Sequence, residues 1–167
     1  MNEAADRWAR ELADWAIPPE ILDRAPQEPF VFPPQMFAAP PADDASPSLS
    51  TRLAREALVD GGSVLDIGCG GGAAAFAVAP PATHLIGTDR QPDMTDLFAR
   101  TAEERGISHE TYPGSWPEVA PSVPTADVVV SNNVLYNVAS RSGGTAARAT
   151  GPASPGSVAG RPTTRWR

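Results

Sequence analysis

An α/β fold, with a parallel sheet and helices on both faces, is what this sequence predicts, on three observations. Short apolar runs alternate with helix-like segments between residues 48 and 138. Ala126-Asp127-Val128-Val129-Val130-Ser131 is a continuous β-branched run, as a strand covered on both faces requires. Val64-Leu65-Asp66-Ile67 leads directly into Gly68-Cys69-Gly70-Gly71-Gly72, so a strand ends in a glycine-rich turn.

The elements divide into three regions. Residues 1–47 form a lead segment. Ala4, Trp8, Leu12 and Trp15 recur at helical spacing with charges between them, which predicts a first helix. Pro18 stops it, and Pro19 suits the start of a short second helix through Leu22. Prolines dominate from Pro26 to Pro47, with Phe30, Phe32, Met36 and Phe37 among them. A plain linker does not carry four large apolar groups, so this segment reads as a cap. Its aromatics are expected to pack on the main domain, over its ligand mouth.

Residues 48–138 are the expected core domain. Ser50–Val59 is amphipathic and precedes the first strand, 63–67. The glycine turn opens a helix rich in Ala73–Val78 helix formers. His84–Thr88 is the second strand, ending at Asp89. Pro92–Arg105 is a helix with Met94, Leu97, Phe98 and Thr101 on one face. A third strand over Ser108–Tyr112 and a fourth over Ala126–Ser131 complete the pattern, joined by right-handed crossovers.

Residues 139–167 differ in kind. They hold five Arg and no acid, while the first 138 residues hold eight Arg and all 20 acids. Without Leu, Ile, Phe or Met this tail buries too little apolar surface to offset its ordering entropy, and disorder is expected. The abrupt change in a Lys-free chain rich in Ala, Arg, Gly and Pro points to a frameshift in a GC-rich gene. An ordinary disordered basic tail is the alternative.

Composition narrows the function. A net charge of −7 with all 13 basic residues Arg argues against nucleic acid bound through a general basic surface. No apolar run approaches membrane-spanning length, and the acidic start Met1–Asp6 has no basic n-region. One cysteine excludes an internal disulfide. The expected setting is cytoplasmic, with a small-molecule substrate and an oligomeric state that is left open. His84 and His109 lie in no metal-ligand spacing, and no metal is expected.

The chemistry concentrates at the turn. A strand, a glycine turn and a helix start bring backbone N–H groups toward a nucleotide. Asp66, two residues before the first glycine, repels a pyrophosphate and suits a ligand with a positive end. Asp66-Ile67-Gly68-Cys69-Gly70-Gly71-Gly72 resembles motif I, D/E-x-G-x-G-x-G, of the class I S-adenosylmethionine-dependent methyltransferases. Asp89 matches that family's ribose-binding acid, and 126–133 resembles its motif IV. The lead segment, with Trp15-Ala16-Ile17-Pro18, resembles the N-terminal part of actinobacterial-type members. The resemblance covers residues 5–138. It implies a Rossmann-like sheet beginning in the order 3-2-1-4, incomplete on its C-terminal side, and S-adenosyl-L-methionine as cofactor.

On that resemblance the cofactor-binding residues are Asp66, Gly68, Cys69, Gly70, Gly72, Asp89, Arg90, Ser115, Trp116 and Asn132. Asp66 favours the sulfonium end, or alternatively braces the turn through backbone N–H groups. Asp89 accepts from the two ribose hydroxyls, or caps the helix at Pro92. Arg90 borders adenine or stands in solvent. The acid often found near adenine is missing after the third strand; Ser115 and Trp116 stand there, Trp116 as a stacking surface or a structural residue. Asn132, Asn133 and Tyr136 follow strand four, without the asparagine-proline-proline-aromatic motif of amide-directed members. Cys69 reads as a packing residue, not a nucleophile. The catalytic residues are left unassigned.

Two other functions compete. Gly68–Ala73 also satisfies G-x-G-x-x-A, the signature of a nicotinamide-dependent Rossmann oxidoreductase, where Asp66 is out of place. A non-catalytic, cofactor-binding remnant is the other, because only four strands are evident.

Overall fold

The computed structural model describes residues 3–40, 47–58 and 60–134. The tail 139–167 and Tyr136 lie outside the described residues. Four parallel strands form one sheet in the order β3-β2-β1-β4. They are β1 (Ser63–Ile67), β2 (His84–Asp89), β3 (Ser108–Pro113) and β4 (Val128–Val130). Five α-helices are described: α1 (Glu3–Asp14), α2 (Pro19–Leu22), α3 (Leu49–Ala57), α4 (Ala73–Val78) and α5 (Pro92–Glu104). No described helix is long and apolar enough to cross a membrane.

Alternation along β1 sends Val64 to one face of the sheet and Leu65 and Ile67 to the other. The first face is covered by helices. Val64 and Leu85 pack there with Leu58, Phe76, Val78, Phe98 and Ala102 from the α3, α4 and α5 layer. Phe98 is fully buried, and its burial is worth about 3 kcal/mol. Phe76 and Phe98 meet at 5.2 Å between ring centroids. Ser48 caps α3, its Oγ accepting from the Thr51 N–H at 3.1 Å.

The second face is covered differently. Leu65, Ile67, Ile86 and Ala126 lie under Tyr112 of β3 and under Trp116 and Val123 of the β3–β4 crossover. That crossover contains one 3₁₀ turn, Ala120–Ser122, and no α-helix. Pro117, Pro121 and Pro124 disfavour a continuous helix in it. Helices therefore divide unequally between the faces.

β4 is shorter than the run that predicts it. Ala126 is buried beside β1, and Asp127 leaves the ladder to bond through its side chain. Its Oδ2 accepts from the Ser63 N–H and the Ser63 hydroxyl, both at 2.8 Å. The Ser63 Oγ in turn accepts from the Asp127 N–H at 3.1 Å. At the far end, the Ser131 hydroxyl donates to the Ile67 carbonyl at 3.1 Å. Both ends of the β1–β4 pair are thus fixed by side chains. Among the described residues β4 pairs with β1 alone, and Val129 is exposed.

The lead segment forms the expected first helix; its half-buried line is Ala5, Ala9 and Leu12, whereas Ala4, Trp8 and Trp15 are exposed. The aromatics of the proline-rich stretch are less buried than expected: Phe30, Phe32, Met36 and Phe37 are all exposed, although Phe37 lies against Gly70. Backbone carbonyls make much of the attachment. A 3₁₀ turn at Pro34–Phe37 brings Ala38 beside Gly71 and Gly72.

Candidate functional site

The glycine turn is built by positive φ angles at Gly68 (70°), Gly70 (51°) and Gly72 (89°). A Cβ on Gly72 would overlap the Phe76 ring and lie 2.8 Å from Phe98 Cδ2. A Cβ on Gly68 would collide with Val134, the last described residue. Glycine is therefore required by the space as well as by the backbone.

Every N–H from Gly68 to Gly72 is engaged inside the protein. Those of Gly68 and Cys69 both donate to the Thr88 carbonyl at 2.8 Å. The Gly70 N–H donates to Asp89 Oδ2 at 3.0 Å. The Gly71 and Gly72 N–H groups donate to the carbonyls of Phe37 (3.1 Å) and Cys69 (2.8 Å). The expectation that these groups face a ligand is corrected. The end of β2 takes three of these donors, the lead segment takes one, and the turn itself takes the last.

The two acids differ in exposure. Asp66 is buried, and its Oδ2 accepts from the Ala75 N–H at 3.2 Å, bracing the start of α4. Burial pushes its carboxyl up to about 7; the Ala75 hydrogen bond opposes this and the neighbouring Asp89 charge adds to it. Asp89 is half-buried, with Oδ1 accepting from the Gln91 N–H at 2.9 Å. Each Asp89 oxygen keeps a further acceptor position. The two carboxylates are close enough to raise each other's neighbours, including Cys69. Burial, then Asp66 and Asp89, hold the Cys69 thiol far above its ordinary value, so it is an inert packing group. Its sulfur would lie 3.1 Å from a Cβ on Gly87, which fixes β2 against the turn.

Asp66, Gly68, Cys69, Gly70, Gly72 and Asp89 thus meet at the carboxyl ends of β1 and β2. In open α/β sheets ligands bind in the crevice outside such strand ends. The other four candidates flank the same edge of the sheet. The Arg90 guanidinium donates to the carbonyls of Phe30 (2.6 Å) and Pro29 (3.5 Å) of the lead segment. Ser115 is exposed just after β3, next to Gly114, whose N–H donates to the Asp89 carbonyl at 2.8 Å. Trp116 is half-buried and packs on the Leu65–Ile67–Ile86 cluster. Asn132 is exposed beyond β4, next to Ser131, whose hydroxyl donates to the Ile67 carbonyl at 3.1 Å. Sequence reasoning named Phe37 as one of the cap aromatics but missed Gln91 and Val134. Gln91 stands two residues past Asp89 without a residue type that marks it, and Val134 reaches Gly68 from beyond β4.

The family model described as "Methyltransferase domain" matches residues 64–150, just over half of the chain. The chain belongs to this methyltransferase family. A release factor glutamine methyltransferase of Aliivibrio fischeri is 38% identical over 73 residues, 42% of this chain and 26% of that protein. An uncharacterized protein of Haemophilus influenzae is 35% identical over 71 residues, with the same shares of 42% and 26%. The chain spans about a quarter of the length of the curated relatives it matches. Among solved structures, the C-terminal domain of precorrin-6Y C5,15-methyltransferase from Rhodobacter capsulatus is similar at 19% identity. It covers 57% of this chain and 53% of that one, with a TM-score of 0.43. Precorrin 8w decarboxylase of Methanobacterium thermoautotrophicum is similar at 20% identity, covering 60% and 57%, with a TM-score of 0.41.

Proposed function

We propose that this methyltransferase domain binds S-adenosyl-L-methionine and transfers its methyl group to a small-molecule acceptor in the cytoplasm. One observation carries the reading. The crevice at the strand ends presents a carboxylate, Asp89, while all five turn amides are already bonded. Such a surface accepts hydroxyl donors and favours a cation. It offers no N–H cradle to a pyrophosphate, which disfavours a nicotinamide dinucleotide.

The bound cofactor supplies an electrophilic methyl on a sulfonium. The chain's residues supply position and field. Asp89 is the group to accept from the ribose hydroxyls, because both its oxygens are already oriented by Gly70 and Gln91. Asp66 holds the turn against α4, and its ionised form adds negative field beneath a cation. Methyl transfer then proceeds by in-line displacement, for which positioning and water exclusion are the main aids. An excess of 20 acids over 13 Arg disfavours nucleic acid as the acceptor, and a small molecule is the acceptor class this reading takes by default.

Calorimetric titration tests this. S-adenosylmethionine and S-adenosylhomocysteine are expected to bind, and NADH is not. Asp89→Ala is expected to weaken S-adenosylhomocysteine at least tenfold. Binding of NADH alone, or an Asp89→Ala variant that binds as well as wild type, would overturn the reading. A non-catalytic cofactor-binding role is the second reading, favoured by a three-residue β4 whose Val129 is exposed. It shares the binding result and differs in turnover, so methyl transfer to any acceptor eliminates it.

A further inference from the structure

Arg90 and Gln91 directly follow the acid at the crevice, yet both side chains turn away from it. Gln91 forms a two-way clasp with Phe32. Its Oε1 accepts from the Phe32 N–H at 3.1 Å, and its Nε2 donates to the Phe32 carbonyl at 2.8 Å. Arg90 donates to the Phe30 and Pro29 carbonyls at 2.6 and 3.5 Å. Arg105 donates to the Pro40 carbonyl at 2.7 Å, with its guanidinium 4.7 Å above the Phe76 ring. Between these points the Phe37 carbonyl takes the Gly71 N–H. A Cβ on Gly71 would overlap that carbonyl, and one on Gly70 would lie 3.2 Å from Phe37 Cβ. Residues 29–40 therefore form a strap lying on the glycine turn itself.

The chemistry of the strap explains this attachment. Pro29, Pro33, Pro34 and Pro40 pre-extend it and remove backbone donors. It offers mainly carbonyls, so the domain must provide donors, and Arg90, Gln91, Arg105 and Gly71 do so. The clasp is also joined to the crevice. Asp89 Oδ1 holds the Gln91 N–H, and Asp89 Oδ2 holds the Gly70 N–H beneath Phe37.

We propose that Arg90 and Gln91 are positioning residues that latch the 29–40 strap onto the glycine turn, so that Phe37 forms one wall of the cofactor crevice. The wall rests on the cofactor reading above; the latch does not. It makes the lead segment part of the site, and it gives Arg90 a role other than contact with adenine.

The experiment combines Arg90→Ala with Gln91→Ala and reads two quantities. Amide hydrogen exchange at Phe32 and Gly71 is expected to accelerate at least tenfold, with Leu65 and Ile86 in the sheet unchanged. The dissociation constant for S-adenosylhomocysteine is expected to rise about tenfold. Unchanged exchange at Gly71 overturns the latch. Faster exchange with unaltered affinity overturns the wall. If the sheet amides also accelerate, Arg90→Lys takes the variant's place. It keeps the charge but removes the guanidinium Nη2 that donates to both the Phe30 and Pro29 carbonyls, and the same two readouts decide. A wild-type protein that binds no S-adenosylhomocysteine defeats the cofactor reading and the wall together, and exchange alone then decides the latch.

Discussion

The glycine turn and the strap touch each other, yet they are held by opposite means. The turn is buried, its shape fixed by three left-handed glycines and by Phe76, Phe98 and Val134 packed where side chains would stand. The strap is exposed, its aromatic side chains outside and its carbonyls bonded inward. One region is specified by volume and the other by hydrogen bonds at a surface. Volume defects in proteins cost several kcal/mol, whereas exposed hydrogen bonds contribute about 1 kcal/mol each or less. The turn is therefore the rigid partner and the strap the separable one.

The sharpest test of the rigid partner is Asp66. Its carboxyl is raised from 3.8 to about 7, so the folded chain holds a proton through a range in which the unfolded chain has lost it. Below that range both states are protonated and burial carries no charge penalty. Above it both are ionised and the folded state bears the whole penalty. Stability thus falls as pH rises from about 4 to about 7, the reverse of an ion-paired acid. The shift corresponds to about 4 kcal/mol. Urea denaturation across that window is expected to show the fall in wild type and its absence in Asp66→Asn. Parallel pH profiles for the two proteins would show that the carboxylate is solvated.

Gly72→Ala comes next. The new Cβ overlaps the Phe76 ring at a φ of 89°, so strain and overpacking combine to about 3 kcal/mol. The same measurement at one pH checks it. A loss below 1 kcal/mol would mean that the turn yields, and the contrast with the strap would disappear. Asp127→Ala removes the bonds to the Ser63 N–H and hydroxyl at the start of the β1–β4 pair. About 2 kcal/mol is expected, the range for hydrogen bonds to a charged acceptor. Because the site lies at the other end of β1, cofactor affinity should stay within twofold.

The same contrast explains what the sequence revealed. The segment from Val64 to Asp89 was legible because its determinants are local: a strand, a forced turn, a helix and a second strand within one crossover. Asp66 and Asp89 could be assigned to strand ends from spacing alone. β4 was recognisable as a strand, but its length was not, because Asp127 exchanges ladder pairing for a side-chain bond to Ser63 across 64 residues. The general pattern leads one to expect helices on both faces, and the three crossover prolines, Pro117, Pro121 and Pro124, are the signal that the β3–β4 crossover supplies none. The partners that Phe37, Gln91 and Val134 take carry no local mark. The Gln91–Phe32 clasp spans 59 residues and depends on where two chain segments come to rest, which no periodicity records. Arg90 illustrates the same limit, since its neighbour in sequence is the crevice acid and its partner in space is the strap.

The smallest expected effect lies farthest from the turn. Trp15, just past α1, is 83% exposed, and no α1 residue is buried. The spacing of Ala4, Trp8, Leu12 and Trp15 predicts the helix that forms, and of these residues Leu12 is the one that is half-buried. A large side chain left in solvent contributes little, so Trp15→Ala should change stability by less than about 0.5 kcal/mol. Urea denaturation checks this against wild type at the same pH. A loss above 1 kcal/mol would require Trp15 to be covered in the folded protein. The lead segment would then be held by buried volume as the turn is, and the division between a packed turn and a hydrogen-bonded strap would fail at its outer end.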